Sequence, residues 1–143
     1  MPAADLLRTL ETLPVSLPEL VVTPTTTQLF MFSAVTWNRH RIHFDKDAAL
    51  AEGHSGVVVQ RALLGNFLAQ LLTDWLAGRG QVRELQWKVV SSAGPGRPLH
   101  CQGEVTGREA HPGAAHLRCE LRIVHDTGAT VATGKALCVL PDD

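Results

Sequence analysis

The chain has 143 residues, of which 45% are hydrophobic and 19% charged, and its formal net charge is -1. This length and composition indicate one globular domain over residues 1–143. The near-neutral charge, with both signs scattered along the chain, argues against a nucleic-acid-binding surface. No apolar run reaches the roughly 18 residues that a membrane span needs, and the N-terminus lacks a secretory pattern. We therefore expect a cytoplasmic protein with neither nucleic-acid nor membrane partners.

The three cysteines, Cys101, Cys119 and Cys138, are odd in number, widely spaced and without a CxxC pair. This usage argues against a disulfide framework or a zinc knuckle. Each lies among apolar neighbours in a strand-like pattern, so we expect three reduced core residues.

The first third of the chain alternates short apolar segments with prolines, threonines and polar residues. In chain order the patterns predict a short amphipathic helix over residues 2–13, a strand over 19–23, an apolar strand over 28–35, a polar loop over 36–44 and helical turns over 45–51. Asp45 is the expected N-cap of those turns, and Gly53 closes them.

A long helix is predicted over residues 56–77, because apolar residues recur at helical spacing on both sides of Leu64. Asn66, Gln70, Thr73 and Asp74 mark only a narrow polar side. An apolar arc this wide is typical of a helix wrapped by a larger structure.

The rest of the chain alternates apolar and polar residues, with glycine-rich turns between the segments. This is the pattern of half-buried antiparallel strands, with Gly134 a candidate bulge in the last strand. The order of elements predicts an α+β fold in which an antiparallel sheet wraps around one long central helix. Free edge strands need pairing, which favours a dimer with a shared sheet.

The polar loop before the helix, residues 36–45, holds the densest cluster of chemically able groups. Histidine is the usual proton-transfer group near neutral pH, and an amide such as Asn38 can orient water. Backbone N–H groups around Gln60 to Leu63, at the helix start, lack intrahelical partners and can stabilise developing negative charge. His40 and His43 have HxxH spacing, but no cysteine or carboxylate cluster adds further ligands, so we predict no metal site.

The segment LFMFSAVTWNRHRIHFDKDAALAEGHSGVVVQRALLGNFLAQLL resembles the MaoC-like hotdog dehydratases, in particular their hydroxyacyl-thioester dehydratase type 2 and mesaconyl-CoA hydratase branch. That branch has approximately F-x-[YF]-S-A-x-T-x-N-x-H-R-I-H-[YF]-D, followed by E-G-[YH]-x-G-L-V-V-H-G-P-L. The matches run from Phe30 to Asp45 and from Glu52 to Val59. The later ELQWKVVSSAGPGRPLHCQGEV also resembles the family's strand and turn after the helix. The resemblance implies one hotdog domain.

The resemblance also implies the chemistry, which is the addition of water to a 2-enoyl thioester or its removal from the 3-hydroxy compound, with no cofactor. By the family's spacing, His43 would carry the acid–base work and Asn38 would position the water. Helix-start N–H groups near Arg61 would polarise the thioester carbonyl. The implied substrate-binding residues are Gln60, Arg61, Ala62, Asn66 and His40, and Arg97 is a candidate contact for a CoA phosphate.

Two departures from the branch pattern stand at the helix start. Gln60-Arg61 replaces His-Gly, and Ala62 replaces proline. The Arg61 side chain would either obstruct the pocket or pair with a substrate carboxylate or a CoA phosphate. Three functions therefore stay open: a hydratase or dehydratase acting on acyl-CoA or acyl-carrier-protein thioesters, a non-catalytic hotdog partner subunit, and a hotdog thioesterase using Asp74. The chain would be a homodimer or a heterodimer with another hotdog chain.

Overall fold

The computed structural model describes residues 3–142 of the chain. The elements run in the order α1 (Ala3–Thr9), β1 (Val15–Ser16), β2 (Leu20–Val22), α2 (Thr26–Thr36), a 3-10 turn (Arg41–His43), α3 (Lys46–Ala51), α4 (Arg61–Leu76), β3 (Gln81–Val89), β4 (Leu99–His111), β5 (Ala114–His125) and β6 (Thr130–Pro141).

The strands of this part of the chain form one six-stranded antiparallel sheet in the order β1-β4-β5-β6-β3, with β2 also pairing with β4. α4 packs against β3, β4 and β5, and its buried side chains join those of the sheet in the main core. The predicted α+β architecture, a sheet around one long helix, is confirmed. None of the helices described here is both long and apolar enough to cross a membrane.

The prediction of a strand over residues 28–35 is wrong, because these residues lie in helix α2. Apolar residues lie on both of its faces: Leu29 is buried, whereas Phe30 and Val35 are exposed. Two apolar faces conceal the helical period. The missed signal is the cap, since the Thr25 side chain accepts a hydrogen bond from the Gln28 backbone N–H at 3.0 Å and T-x-x-Q is a helix-start pattern.

The other boundaries need smaller corrections. α1 ends at Thr9, short of the predicted residue 13, and its predicted first residue lies outside the described part of the chain. α4 begins at Arg61 and not at residue 56, because the residues before it bond to other segments. Gly134 is in regular register between Leu121 and Trp87, so the bulge predicted there is wrong. A side chain at Gly134 would meet the Gln86 carbonyl oxygen at 2.8 Å.

Other predictions are confirmed. Asp45 caps α3, its side chain accepting from the Ala48 N–H at 3.1 Å. All three cysteines are free and buried.

The contact between α4 and the edge strand β3 is set by a glycine in the middle of the helix. Gly65 is buried, and a Cβ placed on it would clash with the indole ring of Trp87. A mid-helix glycine costs about 1 kcal/mol relative to alanine. The cost is offset here because the indole reaches the helix backbone.

We expect Gly65→Ala to destabilise the fold by about 1–3 kcal/mol, since overpacking outweighs the gain in helix propensity. The measurement is the urea midpoint of unfolding. The double variant Gly65→Ala with Trp87→Val removes the clashing ring and should be more stable than Trp87→Val alone. A single Gly65→Ala variant as stable as the native chain would contradict this packing.

Candidate functional site

The polar loop begins where α2 ends, at a residue in the left-handed region. Trp37 has φ 56°, and its backbone N–H donates to the Ala34 carbonyl at 3.4 Å. The next N–H, that of Asn38, donates to the Ser33 carbonyl at 2.9 Å. These two bonds stop α2 and turn the chain into the 3-10 turn that ends at His43.

His43 is buried, and its ring has one defined hydrogen-bond partner. The Nδ1 atom lies 2.7 Å from the Val58 carbonyl oxygen. Because a carbonyl can only accept, Nδ1 carries the proton, and the Nε2 lone pair is left to act as a base. Burial lowers the pKa of His43 below its ordinary value of 6.5, and the charges of His40 and His54 lower it further against the opposing effect of Val58. The ring is therefore neutral near pH 7.

Val58 ties this turn to the segment that precedes α4. Its N–H donates to the Ile42 carbonyl at 3.0 Å, and the next residue, Val59, donates to the Ala93 carbonyl at 2.8 Å. Ile42, Ala49 and Val58 also form a small apolar cluster of their own. The turn is thus held on both its polar and its apolar sides, which fixes the backbone from which the His43 ring projects.

His43 lines a cavity of about 840 Å³. Phe30, Phe44, Val57 and Val58 supply much of its apolar wall. Its other charged or titratable lining residues are Lys46, His54, Arg97 and His125. No Asp or Glu of the described chain lines it. Arg97 pairs with Asp126 at 3.0 Å, and His125 Nδ1 is buried without a hydrogen-bond partner. The cavity combines a neutral histidine, an apolar wall and groups that favour an anion.

Asn38 has one of its two amide atoms engaged within the loop. Its Oδ1 accepts a hydrogen bond from the His40 backbone N–H at 3.2 Å. The amide nitrogen is left as a donor. Asn38 is half-buried and does not line the cavity of His43.

His40 packs beside His43 with its ring nearly perpendicular. The ring centroids are 5.8 Å apart, at an interplanar angle of 83°. His40 Nε2 lies 3.2 Å from both carboxylate oxygens of Glu52, the residue that ends α3. The His40 side chain therefore contacts His43 and Glu52, and it is not among the described residues that line the cavity.

Gln60 is fully buried at the start of α4. Its Nε2 donates to the Leu29 carbonyl at 2.7 Å and to the Ser33 hydroxyl at 2.9 Å. These bonds fasten α2 to the start of α4, whereas Gln60 Oε1 is buried without a partner. Gln60 does not line the cavity.

The Arg61 side chain folds back onto the sheet. Its Nη2 donates to the Trp87 carbonyl at 3.0 Å, and its guanidinium carbon lies 4.7 Å from the centre of the indole ring. In return Trp87 Nε1 donates to the Arg61 carbonyl at 2.9 Å. Among the described residues, no side chain caps the N-terminus of α4, so its first backbone N–H groups are left for other acceptors.

Ala62 and Asn66 are exposed on the same helix and do not line the cavity. Of the eight candidate residues named from the sequence, the structure places His43 and Arg97 on the cavity wall. The sequence analysis missed Lys46, His54 and His125 as lining residues. They come from separate segments without a shared motif, so only folding brings them together.

A second cavity, of about 880 Å³, lies over the polar outer face of the sheet. Its lining includes Glu19, Gln102 and Arg122, and none of the predicted site residues. The cavity that contains His43 is therefore the candidate site.

The chain is similar to known proteins in sequence over part of its length and in fold over most of it. A 65-residue stretch is 42% identical to the mesaconyl-C(4)-CoA hydratase of Chloroflexus aurantiacus, and the match covers 41% of this chain but only 23% of that enzyme. The (R)-hydratase of A. caviae involved in PHA biosynthesis superposes with a TM-score of 0.80 at 20% identity, covering 91% of this chain and 97% of that one. The ChsH1-ChsH2 complex from Mycobacterium tuberculosis gives a TM-score of 0.79 at 18% identity, covering 91% and 98%.

The solved structures confirm the hotdog fold. The model of one family, hydroxyacyl-thioester dehydratase type 2, matches residues 12–95. That range is more than half of the chain and contains the loop, the 3-10 turn, α3 and α4. The chain belongs to the hydroxyacyl-thioester dehydratase type 2 family.

Proposed function

We propose that the protein interconverts 2-enoyl and 3-hydroxyacyl thioesters by adding or removing water. The observation that carries this proposal is His43, a buried neutral imidazole on the cavity wall whose Nδ1 is bonded to the Val58 carbonyl. A histidine fixed in this tautomer is a base through Nε2 and, once protonated, an acid. Family membership supports the same chemistry.

In the hydration direction, Nε2 of His43 accepts a proton from water as the water oxygen bonds to C3 of the enoyl group. The electron pair of the double bond moves through C2 onto the thioester oxygen, giving an enolate. The enolate then collapses and C2 takes the proton from the imidazolium, which restores His43. Dehydration is the reverse sequence, so one histidine serves both directions with no net change in its protonation.

In this mechanism Asn38 positions the attacking water. The Asn38 Oδ1 is already bonded to the His40 N–H, so the amide nitrogen is the atom proposed to donate to the water oxygen. His43 takes the proton while Asn38 holds the oxygen, which divides the two tasks between separate groups.

The enolate would be stabilised by the uncapped backbone N–H groups at the start of α4, near Arg61. The Arg61 side chain bonds to and stacks on Trp87. This contact argues against obstruction of the pocket, the first of the two alternatives expected for its guanidinium. Gln60, Ala62 and Asn66 remain proposed neighbours of the thioester through their place in the first turns of α4. Arg97 and Lys46, on the cavity wall, suit the phosphate of a CoA or carrier-protein arm.

A non-catalytic partner subunit is the second candidate. The family branch has histidine at the position of Gln60. The observation that favours this candidate is that the Gln60 amide nitrogen donates its hydrogen bonds to α2. A thioesterase has weaker support, because Asp74 is exposed near the far end of α4.

The decisive assay uses crotonyl-CoA and a dicarboxylic enoyl-CoA, and follows loss of the conjugated double bond and release of free thiol. We expect hydration without thiol release, and a loss of about 10²–10⁴-fold in His43→Gln because the acid–base group is removed. His100→Gln, on the outer face of the sheet, is the control and should stay active. Thiol release without hydration would favour a thioesterase, and a folded chain inactive in both readouts would favour the partner subunit.

Asn38→Asp should keep hydratase activity within about tenfold of the native chain. One carboxylate oxygen still accepts from the His40 N–H, and the other can hold the water by accepting a hydrogen bond from its O–H in place of the lost amide donor. Asn38→Ala removes both contacts and should lose about 10²-fold. The comparison is made on kcat/KM for the better of the two substrates. Equal activities of the two variants would remove Asn38 from the mechanism.

We also propose that a second hotdog chain pairs with the free edge of β3. β3 is the terminal strand of the sheet and pairs only with β6 among the described strands, and an unpaired edge favours strand addition. We expect light scattering to give twice the chain mass for the purified protein, or a mixed dimer when another hotdog chain is co-expressed. A monomer with full hydratase activity would overturn this proposal.

A further inference from the structure

The His40–Glu52 pair has no role in the mechanism above, yet it is built against the proposed base. His40 Nε2 lies 3.2 Å from both oxygens of the Glu52 carboxylate, and the His40 ring stands edge-on to His43 at 5.8 Å. We infer that Glu52 and His40 form a positioning pair that holds the His43 ring in its working orientation. This inference rests on the proposed function for its catalytic consequence but not for its geometry.

Both the backbone and the ring of His40 have hydrogen-bond partners. Its backbone N–H donates to the Asn38 Oδ1, and its ring is bonded to Glu52 across twelve residues of chain. Glu52 in turn is fixed, because its backbone N–H donates to the Ala48 carbonyl at 3.1 Å at the end of α3. His40 therefore connects the start of the loop to the end of α3.

The His43 ring needs this support. Its one ring bond, from Nδ1 to the Val58 carbonyl, fixes a nitrogen but leaves the ring free to tilt about that bond. A perpendicular ring at close range opposes this tilt, since edge-to-face packing of aromatic rings is directional. A small error in the direction of Nε2 is costly for a proton transfer that must coincide with attack by water.

His40 also contributes to the charge around His43. A positive charge on His40 opposes one on His43, and the charges of His40 and His54 both lower the pKa of His43. The other chargeable groups that line the same cavity are Lys46 from α3, Arg97 from the loop after β3 and His125 from β5. The Glu52 carboxylate balances His40 without entering the cavity lining.

The structure offers a matched control for these contacts. Glu19 and His100 make a similar pair, with Nδ1 of His100 2.8 Å from a Glu19 oxygen. That pair lies on the outer face of the sheet, away from the cavity of His43. Glu19→Gln therefore removes a carboxylate from a histidine without touching the loop.

The experiment combines kinetics with an NMR titration of the His43 ring in the native chain and in Glu52→Gln, Glu52→Asp, His40→Gln and Glu19→Gln. We expect Glu52→Gln to lose about tenfold or more in kcat with KM unchanged, Glu52→Asp to recover part of the loss, and Glu19→Gln to match the native chain. His40→Gln removes a charge that lowers the pKa of His43. The pKa of His43 should therefore rise, and the acid limb of kcat/KM should move to higher pH.

Two results would overturn the inference: an unchanged His43 titration in His40→Gln, or a kcat for Glu52→Gln equal to that of Glu19→Gln. Thermal unfolding of each variant separates a loss of fold from a loss of positioning, and His40→Asn replaces His40→Gln if the latter does not fold. If the native chain hydrates no enoyl thioester, the proposed function fails. The inference is then decided by whether the NMR signals of the His43 ring change in Glu52→Gln and stay unchanged in Glu19→Gln.

Discussion

The burial of the apolar face of α4 against the sheet is the constraint on which the rest of the structure depends. Leu64, Leu68 and Leu72 are fully or almost fully buried, and burying side chains of this size stabilises a domain by about 1.5–3 kcal/mol each. Once the helix is fixed, its first residue is fixed as well. The extended segment before Arg61 must then run beside the polar loop, and Val58 meets His43.

The contact between Val58 and His43 determines which nitrogen of the His43 ring carries the proton. A backbone carbonyl chooses the tautomer of His43, and burial keeps the ring neutral. Neither effect requires a charged partner at the ring itself. Glu52 contacts His40 and not the His43 ring. Its carboxylate is proposed to restrain the loop without raising the proton affinity of His43, the proposed base, through direct contact.

The departure from the family pattern at Gln60-Arg61 has a structural explanation. Gln60 bonds to α2, and Arg61 bonds to and stacks on Trp87. Both residues therefore join α4 to its neighbours and leave the backbone of its first turn uncapped. The direction of the Arg61 side chain could not be predicted from the sequence. It depends on the position of Trp87, which packs over Gly65.

The sequence by itself determined the long helix, the antiparallel strands, the α3 cap and the polar loop, because each has a local pattern of period or capping. It also singled out His43, through its motif. It misassigned α2, whose apolar outer face hides the helical period. It singled out Arg97 but gave no sign that Lys46, His54 and His125 share the cavity wall with it. Tertiary structure decided those features because they depend on contacts between distant segments, which no local pattern encodes.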